Sequence, residues 1–178
     1  MSSKKVMSLK EFSGIWLPLL GSWWMMAVEG PFLTSITARL DNPKQNLAAF
    51  GVAFALAWLF ESPIVMMMTA SLRLVKDKQN LSYLKRFNYT LCLAITCLFA
   101  LAVTPLGWEI LAKNILSLSD DISDIAWKAM IVLLPWPALI GYRRFYQGIL
   151  ISFGKSKYLL YGTAVRVLAM LGFAYLGT

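Results

Sequence analysis

Long apolar runs alternate with short polar connectors along most of the chain. Five runs can be distinguished, with approximate bounds at 15–36, 47–72, 87–106, 125–153 and 158–178. A helix that crosses a membrane uses about 20 predominantly apolar residues. The pattern therefore predicts an all-α, polytopic membrane helix bundle of about five transmembrane helices. We expect residues 1–178 to form a single transmembrane domain.

Prolines interrupt three of these runs. The first run contains Pro31, the second contains Pro63, and the fourth contains Pro135 and Pro137. Because proline removes one backbone hydrogen bond and bends a helix, the first, second and fourth helices are expected to be kinked. Broken helices often form the binding sites of transporters, but a simple bend at proline is also common in membrane helices.

The composition agrees with a membrane domain. Hydrophobic residues make up 58% of the 178 residues and charged residues 15%, whereas soluble domains have about 45–50% and about 25%. This balance leaves no room for a sizeable domain outside the membrane. The chain has two Cys and no His, so we expect no metal site, no resident cofactor and no nucleophile that depends on His.

Basic residues give the chain a net charge of +8. They lie in short connectors between apolar runs, so the lipid bilayer is the expected partner and nucleic acid is not. Cytoplasmic connectors of membrane proteins are rich in Lys and Arg. With the N-terminus inside the cell, 12 of these residues lie on the inner side and 4 on the outer side. The bias predicts an inner-membrane protein with a cytoplasmic N-terminus. The inner set is Lys4, Lys5, Lys10, Arg73, Lys76, Lys78, Lys85, Arg86, Arg143, Arg144, Lys155 and Lys157, and the outer set is Arg39, Lys44, Lys113 and Lys128.

Three charged residues, Glu29, Glu61 and Arg166, are expected within the membrane, where charge is costly and commonly functional. From the helical rise and the membrane thickness, Glu61 and Arg166 lie about 9 and about 12 Å from the inner face, and Glu29 about 21 Å. We therefore expect Glu61 to pair with Arg166. Glu29 is then the carboxylate that takes up and releases a coupling ion, H⁺ or Na⁺. The alternatives for Glu29 are a protonated packing residue and a position at the outer interface.

Arg143, Arg144 and Gln147 form a polar group late in the fourth run. In one interpretation their side chains extend to the inner interface. If the fourth helix instead continues to Phe153, they line an inward-facing basic cavity that suits anionic groups.

Three acidic residues match the pattern D-D-x-x-D, which holds Mg²⁺ against a diphosphate in prenyl-transferring enzymes. They are Asp120, Asp121 and Asp124. Those enzymes need a second acidic motif, and this sequence has none. The alternative is that Ser119, Asp120 or Ser123 caps the fourth helix, with the acids near its positive end. A short motif that occurs once favours this second interpretation.

Several segments of the sequence together carry a resemblance to a known family. They are Glu29–Thr34, Leu47–Gly51, Leu134–Trp136, Tyr142–Gly148, Gly154–Lys157 and Thr163–Arg166. These segments resemble the first half of multidrug and toxic compound extrusion transporters, whose superfamily includes lipid and polysaccharide flippases. The resemblance implies secondary transport by alternating access between two helix bundles. It also implies that Glu29 serves proton or sodium coupling, although the family residue is usually Asp.

Because that architecture needs a second bundle, we expect the chain to be a fragment or a half that assembles with a second half or another copy. The predicted function is a cation-coupled exporter or flippase of an organic or anionic substrate. The alternatives are a membrane-embedded prenyl- or lipid-modifying enzyme that uses the Asp120 cluster, and a membrane scaffold without catalysis.

Overall fold

A computed structural model describes residues 9–75 and 77–176, and within these ranges the chain is helical and contains no strand. The predicted all-α bundle is therefore confirmed. Lys4, Lys5 and Lys76 of the predicted inner set lie outside the described residues. The helices are α1 (Leu9–Thr37), α2 (Pro43–Val65), α3 (Met67–Leu74), α4 (Lys78–Val103), α5 (Pro105–Glu109), a π-helical segment (Ile110–Ile115), α6 (Asp120–Val132), α7 (Trp136–Ser152) and α8 (Ser156–Leu176).

Two stretches of the described chain are long and apolar enough to cross a membrane. One is Pro43–Leu74, which comprises α2 and α3, and the other is α4. Helices α6 and α7 are bent by 47° relative to each other and would form a third span if they cross as one. The helices thus indicate membrane association, but they do not confirm the predicted count of about five spans.

Both helix breaks in the candidate spans occur beside prolines at which the sequence predicts a kink. Pro63 lies two residues before Val65, where α2 ends and the break before α3 begins. Its ring nitrogen cannot donate to the carbonyl of Leu59, and the hydroxyl of Ser62 donates to that carbonyl at 2.8 Å instead. Pro135 lies in the bend between α6 and α7, and Pro137 lies in the first turn of α7, where a helix needs no N–H donor. Pro31 lies inside α1.

The chain divides into two compact units. The terminal unit combines α1 up to Leu33 with the chain from Leu150 onward, and therefore pairs α1 with α8. The central unit contains residues 34–149.

The core of the central unit lies between α2, α4 and α6. Ala49 and Ala53 of α2 and Ala126 of α6 are buried, and such small side chains allow two helices to approach closely. Phe60 of α2 meets Phe99 of α4 edge to face, with ring centroids 5.0 Å apart. This aromatic contact closes one side of the core.

Glycines allow α7 to pack against its neighbours in the central unit. A Cβ atom at Gly141 would overlap with the sulfur of Cys92 in α4, and one at Gly148 would overlap with the hydroxyl of Ser71 and the carbonyl of Met68 in α3. Past the end of α7, Gly154 adopts a positive φ of 68°, which favours glycine. Residues 153–155 form the turn between α7 and α8.

Candidate functional site

Glu29 and Arg166 form an ion pair between α1 and α8 in the terminal unit. A guanidinium nitrogen of Arg166 donates to Oε2 of Glu29 at 2.5 Å. The side chains are 19% exposed at Glu29 and 30% exposed at Arg166, so the pair is largely withdrawn from the surface. The expected pairing of Glu61 with Arg166 is therefore wrong. Positions along separate helix axes do not determine which helix packs against α8, and α1 does so.

A second polar contact fixes the register of α1 and α8. The hydroxyl oxygens of Ser22 and Thr163 lie 2.7 Å apart, and both residues are buried. Because Thr163 donates its hydroxyl hydrogen to the carbonyl of Leu159 at 2.9 Å, Ser22 is the donor to Thr163. From this contact Glu29 lies about 10 Å further along α1 and Arg166 about 4.5 Å further along α8. The two long side chains span the remaining offset.

An open groove of about 340 Å³ lies beside the ion pair. Glu29 is the one lining residue with an ionisable side chain, and the surface of the groove is almost entirely apolar. A charged group with few polar neighbours interacts strongly with any ion or polar group that enters, because the surroundings have a low dielectric constant. The lining residues are Trp24, Met25, Val28, Glu29, Phe32, Val167, Met170 and Leu171.

Glu61 lies in α2 of the central unit and has a different partner. It is buried, and its Oε2 accepts a hydrogen bond from the indole Nε1 of Trp136 at 2.9 Å. Trp136 is the first residue of α7, directly after the bend at Pro135. Glu61 therefore connects α2 to the start of α7, which is a structural role.

The predicted group Arg143, Arg144 and Gln147 is divided by α7. Arg144 is buried on the face that also carries Gly141 and Gly148, whereas Arg143 and Gln147 are partly exposed. Only Arg144 thus lies on the packed face of the helix. Arg144 therefore places a basic side chain in the half of α7 that packs against α3.

Sequence reasoning missed the polar residues that accompany this face. Ser71 of α3 is fully buried, and Asn88 of α4 is 1% exposed. Within the described chain, the amide nitrogen of Asn88 has no hydrogen-bond partner. The available signal was the spacing of Asn88 and Cys92, which puts an amide on the apolar face of α4. Ser22 and Thr163 were also missed, because each is a single hydroxyl residue within an apolar run.

The Asp120 cluster lies at the exposed start of α6. Lys113 approaches Asp120 at 3.9 Å, and the amide of Gln45 donates to Asp121 at 3.1 Å. Acids in the first turn interact favourably with the positive end of the helix. In the part of the chain that the structure describes, no group of three or more Asp, Glu, His or Cys residues is placed to hold a metal ion.

The capping interpretation is only partly right. Ser119 occupies the N-cap position of α6, but its side chain makes no capping hydrogen bond. The hydroxyl of Ser123 instead accepts a hydrogen bond from the indole nitrogen of Trp108 at 3.0 Å. That contact connects α6 to α5 and contributes to the core rather than to the cap.

Comparison with known proteins gave no relative for this chain. No family model matches it, and neither the curated proteins nor the solved structures contain a match.

Proposed function

We propose that the chain is one bundle of a cation-coupled secondary transporter, an exporter or flippase that works by alternating access. The observation that carries this proposal is the ion pair of Glu29 and Arg166, which joins α1 to α8 beside an apolar groove. Ionisable pairs among apolar membrane helices are costly and commonly serve transport. The resemblance to multidrug and toxic compound extrusion transporters supports the same function.

The proposed coupling uses competition for Glu29. When no ion is bound, Arg166 compensates the carboxylate and holds α8 against α1. Binding of H⁺ or Na⁺ at Glu29 weakens its attraction to Arg166, and the contact between the two helices loses its strongest polar interaction. An ion shifts a conformational equilibrium only if it binds one state more tightly than the other. The two states differ in their affinity for the ion because the coupling ion replaces Arg166 as the partner of Glu29 in one of them.

Arg144 is the proposed contact for an anionic part of the substrate, with Arg143 and Gln147 at the margin of the site. Their positions on α7 support this assignment, because α7 follows the bend at Pro135 and adjoins α3 and α4. Glu61 is proposed to hold the bend through Trp136. The substrate class, an organic or anionic molecule, belongs to the same proposal.

The proposal includes an inner-membrane location with a cytoplasmic N-terminus, supported by the distribution of basic residues. It also includes a partner, either a second transporter half or another copy of this chain. Exposed apolar side chains on α8, such as Tyr161, Val165 and Leu168, support burial against lipid or such a partner.

Transport in proteoliposomes tests the coupling role of Glu29. The protein, with any partner that copurifies, is assayed with a panel of labelled organic anions under an imposed H⁺ or Na⁺ gradient. We expect Glu29→Gln to abolish flux driven by the gradient. Glu109→Gln is the matched control, because Glu109 is an exposed carboxylate of α5. Gradient-driven flux that survives in Glu29→Gln at the wild-type rate would refute the proposed coupling.

A further inference from the structure

A second groove of about 330 Å³ lies where α3 ends and α4 begins. Its walls are formed by Leu74, Asn80, Tyr83, Leu84 and Phe87. Three of these side chains are largely uncovered, with exposed fractions of 55% at Leu74, 67% at Tyr83 and 57% at Phe87. The groove thus presents apolar and aromatic surface, with one amide at the end nearest the connector.

The position of this groove relative to a membrane follows from the two spans that form it. Among the residues that the structure describes, Pro43–Leu74 and helix α4 are long and apolar enough to cross without counting a bent pair as one span. Residues 75–77 join them, so the ends of both spans lie at the same membrane surface. Asn80 is about 3 Å along α4 from its start and Phe87 about 13 Å. Because the apolar run of α4 begins near Phe87, the groove lies at the level of the headgroups and reaches the acyl chains at Phe87.

The surroundings of the groove are basic. Arg73 directly precedes Leu74, which lines the groove. Arg86 lies about one helical turn after Tyr83. Both arginines are exposed. Lys78 is also exposed near the start of α4, whereas the ammonium of Lys85 lies over the ring of Tyr89, 5.8 Å from its centroid. Between Glu61 and Glu109 the sequence contains a single acidic residue, Asp77.

We propose that this groove binds an anionic phospholipid of the leaflet at that surface. Arg73 and Arg86 hold the phosphate, because guanidinium groups donate paired hydrogen bonds to phosphate oxygens. Asn80 and Tyr83 contact the headgroup and the glycerol region, and Phe87 packs against the start of an acyl chain. The positive charge beside apolar walls matches a lipid, whereas a free phosphate would leave the aromatic side chains unused. This site is independent of the proposed transport function.

Lipid binding to the full chain tests the proposal directly. The protein, purified in a neutral detergent, is titrated with phosphatidylglycerol or phosphatidylcholine, and the lipid-bound forms are measured by native mass spectrometry. We expect tighter binding of phosphatidylglycerol. Each of the substitutions Arg73→Gln and Arg86→Gln should weaken that binding about fivefold, since one basic residue near an anionic lipid contributes on that scale. Arg73→Lys should retain only part of it, because lysine keeps the positive charge but cannot donate the paired hydrogen bonds.

A second set of variants tests the apolar walls. Phe87→Ala should weaken the binding of both lipids, and Leu93→Ala should leave it unchanged, because Leu93 is an equally exposed apolar residue of α4 outside the groove. Inorganic phosphate at the lipid concentration should not displace phosphatidylglycerol. Equal affinity for the two lipids, or binding unaffected by both arginine substitutions, would overturn the proposal. Displacement by inorganic phosphate would also overturn it and would identify a simple anion site.

Discussion

Glu29 and Arg166 form the charged contact in a helix interface whose second polar contact is the hydroxyl pair of Ser22 and Thr163. Each side chain satisfies the charge of the other, so the removal of one leaves a largely buried charge without its partner. The neighbouring contact of Ser22 with Thr163 is uncharged and buried. The two contacts therefore differ in kind, since the hydroxyl pair helps to fix the register of α1 and α8 whereas the ion pair joins two opposite charges.

A double-mutant cycle measures the strength of the ion pair. We expect Arg166→Gln to lower the free energy of unfolding by about 1.5–3 kcal/mol, the usual range for a hydrogen bond that involves a charged group. The double variant Glu29→Gln/Arg166→Gln should be less destabilised than the sum of the single variants, because it leaves no unpaired charge. Thermal unfolding in detergent provides the measurement, with the exposed Lys155→Gln as a control. Strictly additive effects would show that the two residues do not interact.

The sequence predicted which residues carry charge within apolar helices, but not how they pair. Hydropathy identifies Glu29, Glu61 and Arg166 because each interrupts an apolar run. Their partners depend on which helices are neighbours, and that arrangement is decided by packing between segments far apart in the chain. Trp136 was similarly assigned no role as a hydrogen-bond donor, although its indole satisfies Glu61.

At the scale of the helices, prolines and glycines have separate roles. Pro63 and Pro135 mark the two breaks, and both were predictable because the loss of an N–H group is a local property of the chain. Gly141 and Gly148 instead permit close contact between helices. That role was not predictable from the sequence, because it depends on the atoms opposite each glycine.

Gly148→Ala and Gly51→Ala form a matched pair of substitutions. A methyl group at Gly148 would overlap with the carbonyl oxygen of Met68, and backbone atoms cannot easily move away. We expect a loss of about 1–3 kcal/mol in the free energy of unfolding. A methyl group at Gly51, in α2, meets no atom within 4 Å and should stabilise the helix by about 0.5–1 kcal/mol. Opposite shifts of the melting temperature are expected, and equal shifts would contradict the packing of α7 against α3.

At the scale of the whole molecule, apolar content alone was sufficient to predict a helical membrane-type chain. A run of apolar residues without regular polar positions has one stable solution in lipid, in which every backbone group is bonded within the helix. The division into a terminal and a central unit was not predicted, because it pairs the first helix with the last. Hydropathy along the chain contains no information about such contacts between the two ends.

Labelling of single cysteines tests how many times the chain crosses the membrane. Lys78 adjoins the connector of the two clear spans, Lys113 lies beyond α4, and Lys155 lies beyond α7. Each lysine is exposed, so Lys78→Cys, Lys113→Cys and Lys155→Cys are expected to fold normally. Cys92 and Cys97 are first replaced by alanine, and membrane-impermeant maleimide is applied to inverted and to right-side-out vesicles.

We expect cysteines at 78 and 155 to react in inverted vesicles and a cysteine at 113 to react in right-side-out vesicles. Helix α4 separates the first position from 113, and α6 with α7, crossing as one bent span, returns the chain to the first side. A cysteine at 155 that reacts together with one at 113 would show that the bent pair enters and leaves on one side. If each cysteine reacts in the opposite type of vesicle, the orientation is the reverse of the predicted one and the number of spans is unchanged.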